Sequence, residues 1–513
     1  MDYALHVMSK LCLIIIDGFG VAPSGPGNAR ELAKTPFIDK LEQEVPNCLM
    51  DASGEAVGLP AGQQGASEPG HLTIGAGRVV WQPLSEIARS ISSNEFYNNQ
   101  VLVSACDRAK EKKTPLHLIG LYSSGGVHSS IEHFHAMLKL AKDRGVEKVY
   151  LHLFGDGRDV EEQYFCTDFD LLKKEIDSAQ IGIVASLVGR YFAMDRDKQY
   201  ADRTKVAYDL LVNGEGEEVD DLCAGAASWY LQASETEDTD YYIRPLKTPK
   251  FESIKPEDTV VCVNFRSDRM IQIVRALEEE DFSEFPRPIR ITDVTCMGPY
   301  SDHLPVAYPA PDVKKTLGEV VSDAGLKQLR IAETDKFAHV TFFFNSQKHD
   351  PFSGEDRILI ESPKVSNYSL TPKMSAHKVA DTVLENVEKD EHDLIIVNFA
   401  NPDLVGHGGD IDAAVQACET VDQELQRVIP ALNEAGYDWI VTADHGNAES
   451  MFYEDGKTIC PSHTANQVQT FVNSNTISGS DDLVTCTGLK DIAPLCLNIL
   501  GIEIPKEMKR NKS

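Results

Sequence analysis

Seven residues scattered along the chain, Asp17, Ser67, Asp403, His407, Asp444, His445 and His463, are of types that ligate divalent metals. Most closely follow an apolar run. Leu11 to Ile16 opens onto Asp17-Gly18, Leu394 to Val397 leads to Asp403, and Trp439 to Thr442 opens onto Asp444-His445-Gly446. If those runs are buried strands of an open parallel sheet, the loops at their carboxyl ends converge. Taken singly, each residue is a common turn former or a structural histidine. Taken together, Asp403-x-x-x-His407 and the adjacent Asp444-His445 give paired ligands from two segments that both end apolar strands. One tetrahedral ion usually takes three or four protein ligands, so three aspartates, three histidines and a hydroxyl predict two ions.

Ser67 lies in the turn Gly62-Gln63-Gln64-Gly65-Ala66-Ser67-Glu68-Pro69-Gly70-His71, with a proline that the first turn of a helix tolerates. A serine there feels the positive end of the helix. A hydroxyl is a poor nucleophile at neutral pH, but a divalent cation favours its alkoxide and helix amides stabilise a transferred phosphoryl group. From this turn alone Ser67 as a simple helix N-cap is the favoured reading. The company of metal ligands makes Ser67 the candidate nucleophile.

A second set of strand ends carries different chemistry. Leu116 to Leu121 leads into Ser123-Ser124-Gly125-Gly126-Val127-His128, and Val149 to Leu153 into Gly155-Asp156-Gly157-Arg158-Asp159. Ile181 to Leu187 opens onto Gly189-Arg190, with Arg196 six residues on, and Val260 to Asn264 opens onto Arg266-Ser267-Asp268-Arg269. A guanidinium grips phosphate or carboxylate through paired donors. Arg190, Arg196, Arg266 and Arg269 at one sheet edge therefore predict a small substrate bearing both groups.

Apolar, β-branched runs alternate with amphipathic stretches throughout, the pattern of β-α-β units around a parallel sheet. The clearest helix is Ile411 to Glu434: Ile411, Val415, Cys418, Val421, Leu425, Ile429 and Leu432 recur at three- and four-residue steps, Asp410 can cap its start and Gly436 lies just past its end. Pro430 is a candidate kink. That alternation predicts an α/β fold class, the chain length predicts two domains, and the metal-binding types come from both ends of the sequence. The first is discontinuous, residues 1–80 and 308–513, and a second α/β domain, 81–307, is inserted into it. Pro83 and the proline-bearing run Leu304 to Pro311 supply linkers, and closure of the domains is expected there. Glu215 to Asp221 and Ser234 to Asp240 read as solvated loops.

With 513 residues the chain exceeds what one core usually supports. Its 49 basic and 80 acidic residues, a net charge of −31, argue against nucleic acid or an anionic membrane as partner. Eleven cysteines without a C-x-x-C spacing predict reduced, mostly buried thiols in the cytosol. Leu11 to Ile16 is too short for a signal-peptide core and no stretch approaches a membrane span, so a cytoplasmic protein is expected.

These motifs resemble the cofactor-independent phosphoglycerate mutases of the alkaline phosphatase superfamily, nearly end to end. The resemblance rests on Asp17-Gly18-Phe19-Gly20, the Ser67-Glu68 turn running to Gly75-Ala76-Gly77-Arg78, Gly125-Gly126-Val127-His128-Ser129 and Asp156-Gly157-Arg158-Asp159. It continues through Phe265-Arg266-Ser267-Asp268-Arg269, Glu333-Thr334-Asp335-Lys336, Asn401 to His407, Thr442 to Asn447 and His463-Thr464. It implies an alkaline-phosphatase-like metal domain and interconversion of 3- and 2-phosphoglycerate through a phosphoserine at Ser67, with Asp159 as general acid and base. One ion would be held by Asp403, His407 and His463, and the other by Asp17, Ser67, Asp444 and His445. Family members usually take manganese, with magnesium, cobalt or zinc as alternatives. His128, Arg158, Asp159, Arg190, Arg196, Arg266, Arg269 and Lys336 would face phosphoglycerate, and a monomer is expected.

The chain departs from the family pattern at Ala66 and Pro69 beside the serine, at Ser124 and Ser130 around His128, at Val160-Glu161-Glu162 after Asp159, and at Ser346-Gln347 after Asn345. Three other readings compete. A plain metal phosphatase or sulfatase-like hydrolase needs only the metal cluster, a phosphopentomutase shares the metal fold with a differently organised insert, and a metal-stabilised binding protein needs no nucleophile.

Overall fold

The computed structural model describes residues 9–453 and 455–509. In chain order the strands are β1 (Lys10–Ile16), β2 (Asn47–Met50), β3 (Leu116–Leu121), β4 (Val149–Gly155), β5 (Ile183–Gly189), β6 (Glu217–Glu218), β7 (Leu246–Lys247), β8 (Thr259–Cys262), β9 (Asp293–Cys296), β10 (Gln328–Glu333), β11 (Glu355–Ile360), β12 (Leu394–Phe399), β13 (Tyr437–Thr442) and β14 (Val468–Asn473). They make two seven-stranded sheets. The chain divides into two units, Met1–Gln82 with Asp312–Ser513, and Pro83–Pro311. Tyr308 belongs to the second: its hydroxyl lies 2.6 Å from Ser90 Oγ, its ring 6.3 Å from that of Phe96, and its backbone N–H donates to Met297 O.

The sheet of the first unit runs β11-β10-β12-β1-β13-β14-β2, parallel from β11 to β13 and antiparallel at β14 and β2. Every residue of β1 but the first is buried, as expected of a central parallel strand whose apolar side chains fill both faces. Ile16 pairs with Phe399 and Ile15 with Thr442, so the chain leaves β1, β12 and β13 at one level of the same edge. That register delivers Asp17, Asp403 and Asp444 together.

The helix Ile411–Glu434 has the bounds its periodicity predicts, and Asp410 caps it by accepting from Ala413 N at 3.0 Å. Gly436 follows with φ +73°, a left-handed conformation that costs glycine little. Pro430 lies inside the helix. Its apolar stripe, Val421, Leu425, Val428 and Leu432, is fully buried in the core of this unit. Leu425→Ala should cost about 2–5 kcal/mol, as transfer and cavity terms add; a urea unfolding midpoint unchanged from wild type would show that the stripe carries no such load.

In the second unit the order is β6-β7-β5-β4-β3-β8-β9, with β5, β4, β3, β8 and β9 parallel and β7 antiparallel to β5. β3 and β4 are buried along their whole length. Apolar cores pack against the sheet, one containing Leu118, Leu151 and Val261 and the other Ile119, Phe154 and Val260. The neighbouring positions along each strand thus alternate between the two cores, as a pleated sheet requires.

Two expectations are corrected here. Cys166 and Cys223 form a disulfide, joining the helix Phe165–Ala179 to the helix Leu222–Gln232 across a Cα separation of 5.5 Å. A separation of 57 residues along the chain concealed the pairing. Cys12, Cys106, Cys262, Cys296, Cys418, Cys460 and Cys496 are buried thiols. The stretch Ser234 to Asp240 is not wholly solvated, because its last residue, Asp240, is fully buried. Among the described residues no helix is long and apolar enough to cross a membrane.

Candidate metal centre and acid-base site

The seven metal-ligand types meet at the edge of the first sheet. Asp17 follows β1, Asp444 and His445 follow β13, Asp403 lies on the helix Asn401–Gly406 just after β12 with His407 next after that helix, and His463 precedes β14. Ser67 is the first residue of the helix Ser67–Ala76, after Ala66 in an extended conformation. Glycine lets this turn come close: a Cβ on Gly65 would lie 2.4 Å from Ala52 O, and one on Gly70 would lie 2.6 Å from Asp444 O.

Ser67 Oγ lies 3.2 Å from Asp17 Oδ1, which accepts from it, and 2.9 Å from His445 Nε2. Lys336 Nζ donates to Asp17 Oδ1 and Asp403 Oδ2 at 2.6 Å and to Ser67 Oγ at 2.7 Å. Lys336 therefore sits among the metal-ligand types of the first unit. Two overlapping groups could each hold an ion, Asp17 with Asp444 and His445, and Asp403 with His445 and His463. His445 enters both, whereas the resemblance assigns it to one. His407 stands beside the second group, its Nε2 3.0 Å from that of His463 and 3.3 Å from Asp403 Oδ1.

The donor set fits divalent cations. The Nδ1 atoms of His407 and His463 lie 2.6 and 2.9 Å from the carbonyls of Pro461 and Gly65, which fixes Nδ1–H as donor and turns each Nε2 lone pair inward. Two such lone pairs 3.0 Å apart beside a carboxylate call for a shared cation. Asp444 Oδ2 accepts no hydrogen bond, since the His71 Nδ1 proton, 3.1 Å away, is directed to Ser67 O at 2.9 Å. Carboxylate oxygen with imidazole nitrogen suits first-row divalent metals and magnesium.

Electrostatics agree. Burial raises the Asp17 carboxyl, but Lys336 and then His445 outweigh it and hold the group below the usual carboxylate range. Asp403 is held well below that range in the same way, burial being overcome by Lys336, His407 and His463. Burial opposes a charge on His445, yet Asp444, Asp17 and Asp403 push its imidazolium up to about 10. Lys336 is likewise raised, against its burial, by Asp17, Asp403 and Asp444. Three buried carboxylates thus hold Lys336 and His445 in their charged forms.

The supports of this centre lie outside the ligand motifs of the sequence. Asn398, the polar residue near the end of β12, donates to Asp17 Oδ2 at 2.8 Å and to His71 Nε2 at 3.1 Å. Asn447 donates to Asp403 Oδ1 at 2.9 Å. The four-residue step from Ser67 to His71, which places both on one helix face, was the available signal.

In the second unit the strand-end loops bring His128, Arg158, Asp159, Arg190, Arg196, Arg266 and Arg269 to the same edge of the sheet. Arg190 is 1 % exposed, and its Nη1 bridges Asp156 Oδ1 and Asp159 Oδ2 at 2.5 and 2.6 Å. Ser123 Oγ donates to Asp156 Oδ2 at 2.6 Å. His128 Nε2 lies 3.7 Å from Asp159 Oδ2, and burial, followed by Arg190, lowers His128 to about 4, so it is neutral at pH 7. Arg266 and Arg196 reach Asp268 at 3.0 and 3.4 Å but remain half or more exposed, with donors free for an anion. Arg269 donates to Met194 O at 3.2 Å. Arg158 places its guanidinium 6.0 Å from the Tyr241 ring.

Comparison with known proteins agrees with this chemistry. The family model described as the Metalloenzyme superfamily matches residues 9–504. The chain is 45% identical to the 2,3-bisphosphoglycerate-independent phosphoglycerate mutase of Moorella thermoacetica, covering 98% of each chain. It is 43% identical to the enzyme of the same name from Clostridioides difficile, covering 97% of this chain and 98% of that one. A crystal structure of Leishmania mexicana phosphoglycerate mutase at low cobalt concentration superposes with a TM-score of 0.60 at 28% identity, covering 99% of this chain and 98% of that one. With its metal-ligand cluster built around Ser67 and its relatives matched end to end, the chain belongs to the 2,3-bisphosphoglycerate-independent phosphoglycerate mutases of the metalloenzyme superfamily.

Proposed function

We propose that this chain interconverts 3-phosphoglycerate and 2-phosphoglycerate through a phosphoserine at Ser67, with two divalent ions, manganese foremost, and without 2,3-bisphosphoglycerate. The observation that carries the proposal is Ser67 Oγ, at a helix start, within 3.2 Å of Asp17, His445 and Lys336 together. Asp17, Ser67, Asp444 and His445 would hold one ion and Asp403, His407 and His463 the other. When bound, the ions polarise phosphoryl oxygens and favour the ionised form of a nearby hydroxyl.

Ser67 Oγ attacks phosphorus as the ionised hydroxyl, a new O–P bond forms, and the bond from phosphorus to the 3-oxygen of glycerate breaks. Asp159 delivers a proton to that departing oxygen. Lys336 neutralises charge on the phosphoryl oxygens. Arg190, Arg196, Arg266 and Arg269, with Arg158 and His128, hold glycerate by its carboxylate while it turns. Asp159 then removes the proton of the 2-hydroxyl, which takes phosphorus back from Ser67. The domain from Pro83 to Pro311 serves as the substrate-binding part and the remainder as the metal-binding part.

Incubating manganese-loaded protein with 3-phosphoglycerate should yield 2-phosphoglycerate with little free phosphate. Free phosphate alone would make the protein a hydrolase. Arg266→Ala should raise KM for phosphoglycerate about ten- to a hundredfold, the worth of a charge-assisted bond to a carboxylate; an unchanged KM would remove Arg266 from the site.

A further inference from the structure

The loop bearing Arg158 and Asp159 is fastened at both ends, and only its entrance is held by residues already placed in the site. There, Arg158 N and Asp159 N donate to Asp156 Oδ1 at 3.3 and 3.1 Å. Its exit is held by Asp240. Oδ2 of Asp240 accepts from Tyr164 N at 2.8 Å and Phe165 N at 2.7 Å, capping the helix that follows the loop, and the Asp240 N–H donates to Glu162 O at 2.8 Å. Oδ1 accepts from the Tyr230 hydroxyl. We propose that Asp240 is a positioning residue for the acid-base chemistry: it locks the exit of the loop Asp156 to Tyr164 and so fixes where Arg158 and Asp159 present their side chains. The proposal rests on the mutase reading of those two residues.

Three observations favour a built device over an incidental contact. Glycine clears its path: a Cβ on Gly155 would lie 2.8 Å from Asp240 O, one on Gly157, at φ +59°, 2.7 Å from Tyr241 N, and one on Gly189 2.3 Å from Tyr241 O. The segment therefore crosses directly over the two strand ends that carry Asp156 and Arg190. Next, the helix Leu222–Gln232 braces the clamp at two points, through Tyr230 at Asp240 and through the disulfide from Cys223 to Cys166, next to Phe165. Lastly, Asp240 is fully buried yet has no cationic partner among its hydrogen bonds, only a hydroxyl and backbone N–H groups. Burial pushes it up to about 6, offset by Tyr230, Phe165 and Tyr164. A buried carboxylate held without a cation is costly to maintain.

The test is a pair of mutant cycles on the full, manganese-loaded chain. Asp240→Asn keeps the shape and removes the second acceptor; kcat/KM for 3-phosphoglycerate should fall about ten- to a hundredfold. Against Arg158→Ala, on the clamped loop, that loss should shrink to about threefold or less, because the loop is already compromised. Against Arg266→Ala, off the loop, it should persist in full. A wild-type kcat/KM for Asp240→Asn would overturn the proposal, and so would losses that multiply fully in both backgrounds, which is what a merely structural role gives. Should Asp240→Asn fail to fold, Tyr230→Phe, which removes one donor to the clamp, carries the same two cycles with the same discriminating pattern. If Arg158→Ala and Arg266→Ala themselves leave activity intact, the mutase reading of this loop falls and takes the clamp's role with it; if only Asp240→Asn is silent, that reading stands.

Discussion

Replacing Ser67 with alanine should reduce turnover of 3-phosphoglycerate below about a thousandth of wild type while the protein stays folded, since the hydroxyl that meets Asp17, His445 and Lys336 is the one proposed to carry the phosphoryl group. The fold should tolerate the change. Ser67 contributes no side-chain cap to its helix, whose N-cap is Ala66, and Lys336 keeps both Asp17 and Asp403 when the hydroxyl is gone. Loss of activity with unaltered circular dichroism, and loss of label transfer from phosphoglycerate to protein, would meet the expectation. Residual isomerisation above that level would remove Ser67 as nucleophile.

Chelation should silence the enzyme as completely, and added manganese should restore it. The charges of the ligand cluster after chelation set how restoration depends on pH. There Asp444, Asp17 and Asp403 hold His445 protonated up to about 10, and Asp403 raises His407 as well. A ligand nitrogen must lose its proton before it can bind metal. Below about 10, then, displacing the single proton of His445 lowers apparent metal affinity about tenfold for every unit of acidification, and affinity climbs as pH rises. Calorimetric titration in buffers of different ionisation enthalpy should register proton release on loading. Metal affinity that stays flat from about pH 6 to about pH 8 would contradict the ligand assignment. Activity that ignores chelators and demands bisphosphoglycerate would overturn the proposed function itself.

How far the sequence could be read depended on whether a residue's neighbours were local. Asp17, Asp403 and Asp444 were legible because the end of a parallel strand is a place that both the pattern and the fold define. The register of β1 with β12 and β13 then makes those places adjacent. The helix Ile411–Glu434 was legible for a similar reason, its cap and its stripe both lying within itself. Asp240 was not. It closes the polar stretch Ser234 to Asp240, and nothing nearby in the chain reveals that Gly155, Gly157 and Gly189 open a passage for it. The disulfide was hidden likewise, and so was the sharing of His445 between two ligand groups, which depends on side-chain directions that spacing does not encode.

The central position of β1 has a cost during synthesis. Its six buried residues leave the ribosome long before both of its hydrogen-bonded neighbours, β12 and β13, which begin only at Leu394 and Tyr437. At typical elongation rates the wait is on the order of 20–80 s, long enough for a naked apolar strand to find the wrong partner. A holdase that shielded β1 until β12 and β13 arrived would remove that hazard.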